Sequence, residues 1–217
     1  MKRIIWIFIS ILFLLVTVIL SQLNQSGDGY EQEIKKYWED KHNFFRTSEA
    51  SPFVQKKIEY QEVNVFPTDP SYKVSAILER FTKREIVTVG NSDGTNTNYL
   101  KFAIAKFKID GQQQSILILR ALGFGNQYLI AFGDETSGET TYGGGRYLDL
   151  EIGKSDRITI DFNKAYNPYC AYFADFTCPL PPLENLLTVA IEAGEKVYPW
   201  QQTPEGLWLR ERVSIGD

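Results

Sequence analysis

Residues 4–20 form an apolar run of 17 positions, interrupted only by Ser10 and Thr17 and carrying no charge. As a helix the run would extend roughly 25 Å at 1.5 Å per residue, close to the lower limit for crossing a bilayer core. A helix on the surface of a soluble domain would show a polar face, and this one shows none. Lys2 and Arg3 precede the run, while Asp28, Glu31 and Glu33 follow it. The positive-inside rule therefore predicts a single-pass anchor with a cytoplasmic N-terminus and an extracytoplasmic C-terminal domain. The alternative is a secretory signal removed after export. Its cleavage site would need small residues spaced as A-x-A, and Ile19 and Ser21 fill those places poorly. No Cys follows the run, which excludes a lipoprotein signal.

The pattern then changes twice. Residues 1–24 are assigned to the anchor, 25–29 to a polar, Gly-containing linker, and 30–217 to a single β-rich domain. Within residues 30–46, Ile34, Tyr37, Trp38, Lys41 and Phe45 recur at intervals of three and four, one face of an amphipathic helix that Ser51-Pro52 brings to an end. Packing against the domain is the expected use of that face, and a membrane surface is the alternative. Beyond Pro52 the apolar segments are short and separated by turn residues, and they predict strands at 72–81, 85–89, 99–109, 112–119, 127–132, 147–152, 157–162, 186–191 and 207–213. Asp110-Gly111 supplies the two-residue turn of a hairpin between the third and fourth of these. Leu148, Leu150 and Ile152 alternate with polar residues, as do Ile158, Ile160 and Phe162, so those strands have one wet face. Eight or nine strands without intervening helices predict a mainly β fold, a single antiparallel barrel or sandwich, preceded by the transmembrane helix and the amphipathic helix.

Charge and composition narrow the function. Without Lys2 and Arg3, the 21 remaining Lys and Arg face 27 Asp and Glu, a formal charge of −6 on the exported part. An ordinary apolar content excludes a disordered chain, and the acidic balance excludes a general nucleic-acid binder, which needs clustered cations. His42 is the only histidine, so Ser-His-Asp, Cys-His and histidine-zinc chemistry would all depend on it. G-x-S-x-G, P-loop and dinucleotide motifs are absent; Gly123-Phe124-Gly125 lacks a third glycine. No metal and no cofactor are expected. Cys170 and Cys178 are the only cysteines, and in an exported domain one pair predicts one disulfide, worth roughly 2–3 kcal/mol for so short a loop. Two buried thiols are the alternative.

Two segments carry candidate chemistry. Residues 141–151, TYGGGRYLDLE, put three glycines before a strand bearing Arg146 and Tyr147. They read either as a flexible turn or as bare backbone that lets an anion approach a guanidinium. An Arg beside glycines that cannot cover it needs a carboxylate, a carbonyl or a ligand, and Asp161 and Glu184 are the acidic candidates. Residues 161–187 concentrate Asp161, Asn163, Tyr166, Asn167, Glu184 and Asn185 around both cysteines and several prolines. Asn and Asp there either bond local turns or line a site.

The strings YGGGRYLDL, DFN-x-AYNP-x-CAY, CPLPP-x-EN-x-L and AGEK at residues 193–196 resemble the domain-of-unknown-function family numbered 1684. Trp38 with Ser51-Pro52, and FPTDPSYKV at 66–74, are similar to that family's N-terminal half, so the resemblance covers about residues 30–197. It implies a single domain with the GGGRY and NP-x-C…CPLPP-x-EN segments as hallmarks, and it implies no activity. Three functions stay open. The first is a membrane-anchored extracytoplasmic domain binding a small polar or anionic ligand through Arg120, Arg146, Tyr147, Asp161, Asn163, Tyr166, Asn167, Glu184 and Asn185. The second is a hydrolase or transferase using paired carboxylates from Asp134, Glu139, Asp161 and Glu184. The third is a structural envelope module without a ligand. A shared concave surface for Arg146, Asn167 and Glu184 separates the first two from the third.

Overall fold

The computed structural model describes residue 14 and residues 28–123 and 127–199. The apolar run at 4–20, Leu14 apart, and the strand expected at 207–213 lie outside the described residues. Among the described residues no helix is long and apolar enough to cross a membrane. The chain divides into two compact units, residues 1–40 and 41–217.

Helix α1 covers residues 28–47. In the first unit Lys36 and Asp40, one turn apart, pair at 2.8 Å on its exposed side. In the second unit Ser51 ends the turn after α1 and begins α2 (Pro52–Lys56): its Oγ donates to the Phe45 carbonyl and accepts from the Phe53 amide. Phe45 and Phe53, both buried, meet edge to face at 5.4 Å, and Tyr60 and Tyr172 pack on the pair.

Eight strands follow: β1 (Lys73–Arg80), β2 (Ile86–Gly90), β3 (Asn96–Ile109), β4 (Gln112–Ala121), β5 (Tyr128–Leu129), β6 (Ala131–Phe132), β7 (Arg146–Tyr147) and β8 (Arg157–Asp161). The order β5-β4-β3-β1-β8, with β2 also on β3, makes a six-stranded antiparallel sheet, and β6 and β7 pair separately. The β3–β4 hairpin turns at Asp110 and Gly111, whose φ of 49° and 76° are what a two-residue turn of this hand requires.

The architecture is mainly β and antiparallel, but it is not a closed barrel: β5 and β8 stand at opposite ends of the sheet, unpaired with each other among the described residues. Nor do residues 147–152 and 186–191 form the expected strands. Leu148 is buried and Leu150 and Ile152 pack on the core, so their alternation reports burial. Past Tyr147, though, these residues form no ladder. The Tyr147 backbone bridges Tyr166, and the Leu148 amide donates to the Ile130 carbonyl. The segment around Leu186 touches Gly133 by a single bridge.

One face of the large sheet builds the main core. Val74, Ala76 and Leu78 of β1, Ala103, Ala105, Phe107 and Ile109 of β3, Ile116 and Ile118 of β4, and Ile158 and Ile160 of β8 all point into it, toward Phe132 and Phe162. The opposite face is covered only at one end, where Val89, Tyr99, Leu117 and Leu119 form a smaller cluster. Its other end is open to solvent and carries the exposed positions Ser75, Ile77 and Glu79 of β1, Lys106 and Lys108 of β3, Gln113 of β4, and Arg157 and Thr159 of β8.

Candidate functional site

The hallmark arginine is closed off. Arg146 is 1% exposed, and its Nη2 donates to Asp134 Oδ2 at 2.8 Å and to the Ile191 carbonyl at 2.9 Å. Its Nη1 donates to the Ala193 carbonyl and, at 3.4 Å, to that of Glu195. Asp134 is oriented in turn by the Thr136 hydroxyl at 2.6 Å, the Thr136 amide at 2.9 Å and the Ile191 amide at 3.2 Å. Burial pulls the guanidinium below its ordinary pKa, and the Asp134 carboxylate opposes that shift. Its acidic partner is therefore Asp134, not Asp161 or Glu184. It ties β7 to the segment 191–195 and has no surface to offer a ligand.

Most of the other expected site residues also serve the fold. Asn167 is 1% exposed; its amide and Nδ2 donate to Glu195 at 3.0 and 2.8 Å, and Nδ2 also to the Lys196 carbonyl. Asn185 takes the Leu117 amide at 2.6 Å and donates to the Leu117 and Ala131 carbonyls, so one side chain joins β4 to β6. Asn163 does the same for Asp69, and Asp161 accepts from the Asn163 amide to start the 3₁₀ turn Phe162–Lys164. Tyr147 donates to the Pro179 carbonyl and Tyr166 to Asp149. Arg120 is half-buried on β4 opposite Leu100 and Tyr128. Glu184 alone of the acidic candidates on the long loop is exposed, in the turn Leu183–Asn185. Arg146, Asn167 and Glu184 therefore share no surface, so the site expected on them is withdrawn, and any binding function has to rest on other residues.

Sequence reasoning missed Glu195. It is fully buried, with Tyr172 Oη 2.7 and 2.9 Å from its two oxygens in addition to the Asn167 donors. Burial pushes its carboxyl up to about 7 against those hydrogen bonds and the nearby Lys41 charge. Lys41, whose Nζ lies 3.3 Å from the Tyr166 ring centroid, is pushed down to about 8 by burial, with Glu195 and Asp149 pulling the other way. His42 accepts or donates at 2.7 Å with Tyr60. The cysteines lie together but are free thiols, in place of the expected disulfide. The 3₁₀ turn Tyr169–Ala171 sets the Cys170 amide 3.2 Å from Cys178 Sγ, and the Tyr142 hydroxyl donates to Cys170 Sγ at 3.7 Å. Interaction between the two thiols lowers the Cys170 pKa, helped by Tyr142, and together with burial raises that of Cys178 against the pull of the Cys170 amide. Among the described residues no group of three or more His, Cys, Asp or Glu is arranged to hold a metal.

Accessible concavity lies elsewhere. A cleft of about 510 Å³ sits on the open sheet face, lined by Ser75, Ile77, Glu79, Lys106, Lys108, Gln113 and Arg157. Register explains it: Ile77 is opposite Arg157 on one side and Lys106 on the other, and Lys106 is opposite Ser115. Lys106 pairs with Glu79 at 2.7 Å and Arg157 donates to Ser75 at 3.2 Å, which leaves three cations against one carboxylate in a chain of net charge −4. The triglycine lines a second cleft of about 480 Å³ with Glu135, Ser137, Leu180, Pro181 and Leu186. Gly145 is there for close approach: at φ 82°, a Cβ would stand 2.3 Å from Pro181 and 2.7 Å from the Phe132 carbonyl. Sequence reasoning did not single out these cations; alternation along β3 and along β8 is the signal that puts Lys106, Lys108 and Arg157 on wet faces, but not that those faces are one.

A model of the family described as a protein of unknown function, DUF1684, matches residues 58–196. The solution NMR structure of an uncharacterized protein of Haloarcula marismortui is similar, at 32% identity and a TM-score of 0.59, over 79% of this chain and 96% of that one. No curated protein matches the chain.

Proposed function

The chain belongs to the DUF1684 family of proteins of unknown function, and from that premise we propose that it is a binding domain for a small anionic ligand, tethered to the membrane by residues 4–20 and carried on the extracytoplasmic side. The observation that carries this reading is the cationic cleft on the open sheet face, where Lys106, Lys108 and Arg157 converge beside the polar Ser75 and Gln113. Glu79 and Ser75 hold Lys106 and Arg157 in place, and a basic patch on an acidic protein attracts anions locally despite the overall charge. The charge step from Lys2 and Arg3 to Asp28, Glu31 and Glu33 supports the orientation.

The carboxylate-enzyme reading gains no support. Asp134 is engaged with Arg146, Asp161 caps a turn, Glu184 stands exposed on another, and Glu139 is exposed between Thr136 and Thr141. Isothermal titration of the full-length chain in detergent micelles with malonate and with inorganic phosphate tests the proposal. Lys108→Glu and Arg157→Glu should each weaken the tighter of the two by about tenfold or more, the worth of one charge-assisted hydrogen bond. Equal affinity for wild type and both variants would refute it.

A further inference from the structure

The sheet cleft does not end at the hairpin. A smaller depression of about 210 Å³, lined by Lys106, Gln113, Gln114, Ser115, Glu184, Leu186 and Leu187, shares Lys106 and Gln113 with it. That depression shares Leu186 and Leu187 with the triglycine cleft. Through these shared residues the three depressions adjoin as a broken groove. Its sheet end crosses β8, β1, β3 and β4 along the row Arg157–Ile77–Lys106–Ser115, and the depressions beyond it lie beside the turn Leu183–Asn185 and beside Gly143, Gly144 and Gly145. Crossing four neighbouring strands alone spans about 14 Å, already the length of roughly four extended residues, and the triglycine section lies beyond. That is longer than a single small anion needs.

Its chemistry is polarised. The sheet end presents Arg157, Lys106 and Lys108 against Glu79, and the far end presents the exposed carboxylates of Glu184 and Glu135. Each part also presents an aliphatic side chain: Ile77, on the sheet, is 50% exposed and Leu186, past the turn, 52%. Phe107 is the one aromatic residue among the described lining residues, and it is 3% exposed with its side chain in the core. The groove therefore lacks the ring faces on which sugars and bases stack.

We infer that this groove receives an extended peptide segment of another protein, acidic where it lies over the sheet, aliphatic across Leu186, and basic beside the triglycine turn. The inference rests on the anion-binding reading for its sheet end and extends it. A peptide meets each requirement at once: its length matches the groove, its backbone can bond to Ser115 and Gln113, and its side chains can reverse charge from one end to the other.

The test uses two probes on the full-length chain in micelles: malonate, and a fluorescent peptide with two aspartates at one end, two lysines at the other and alternating leucine and serine between. A peptide of identical composition with its charges intermixed is the control. The polarised peptide should bind at least tenfold more tightly than the control, and Arg157→Glu and Glu135→Lys should each weaken it at least tenfold. Malonate should respond to Arg157→Glu only. Both residues are exposed, so circular dichroism should stay unchanged. If Glu135→Lys leaves peptide affinity unaltered while malonate still binds, the peptide inference is overturned and the anion reading stands. If neither probe binds the wild type, both are overturned.

Discussion

Arg146→Met is the sharpest perturbation of the fold account. It leaves the Asp134 carboxylate, 0% exposed at the side chain, without its counter-charge. Removing one member of a buried ion pair costs about 3–5 kcal/mol, because the remaining charge keeps its desolvation penalty. The Ile191 and Ala193 carbonyls also lose a charged donor, at about 1–3 kcal/mol for each group left unsatisfied. These costs overlap, and a loss of about 5 kcal/mol is expected, a large share of the whole stability of an ordinary domain. For a domain of this size each kcal/mol lowers Tm by about 2–4 °C, so the midpoint should fall by about 10–20 °C. Adding Asp134→Asn should recover part of that loss: it removes the stranded charge while its amide oxygen still accepts from Thr136 and Ile191. Urea unfolding of the three proteins, followed by far-ultraviolet circular dichroism, measures both numbers. A loss below about 1 kcal/mol for Arg146→Met, or a further loss on adding Asp134→Asn, would refute the buried-pair argument.

Two further outcomes follow from the buried polar groups. Asn185→Leu removes all three bonds that join Leu117 to Ala131 and should cost about 3 kcal/mol in the same unfolding assay, since it strands strand amides and carbonyls in the core; no measurable loss would contradict that role. Glu195 is held at about 7 when folded against an ordinary 4.5. Between those values the folded chain keeps a proton that the unfolded chain has released. Its own contribution to stability is therefore full below 4.5 and is lost as pH rises toward 7, and Glu195→Gln should remove that part of the pH dependence.

The main β hairpin, α1 and the strands β1 and β8 were legible because each rests on local information: a period, a turn dipeptide, an alternation. Residues 147–152 were misread for a related reason. Alternation at Leu148, Leu150 and Ile152 reports which side chains are buried, but a ladder needs a neighbouring strand, and the sequence does not say where one is. Arg146 was singled out correctly as needing a partner, yet Asp134 was not favoured over Asp161 and Glu184, because the pairing depends on the β6–β7 approach and joins residues 12 positions apart. Glu195 carried no local signal beyond its place in AGEK. The groove was missed because its cations are scattered across β3 and β8 in sequence, and only the β8–β1–β3 register gathers them.

The most direct test of the binding account is amide chemical-shift mapping of the ¹⁵N-labelled chain during titration with malonate. Saturable shifts are expected at Ser75, Ile77, Lys106, Lys108, Gln113 and Arg157, with the amides of Arg146, Asn167 and Glu195 unmoved. Shifts centred on Arg146 and Asn167, or none on the open face of the sheet, would contradict it.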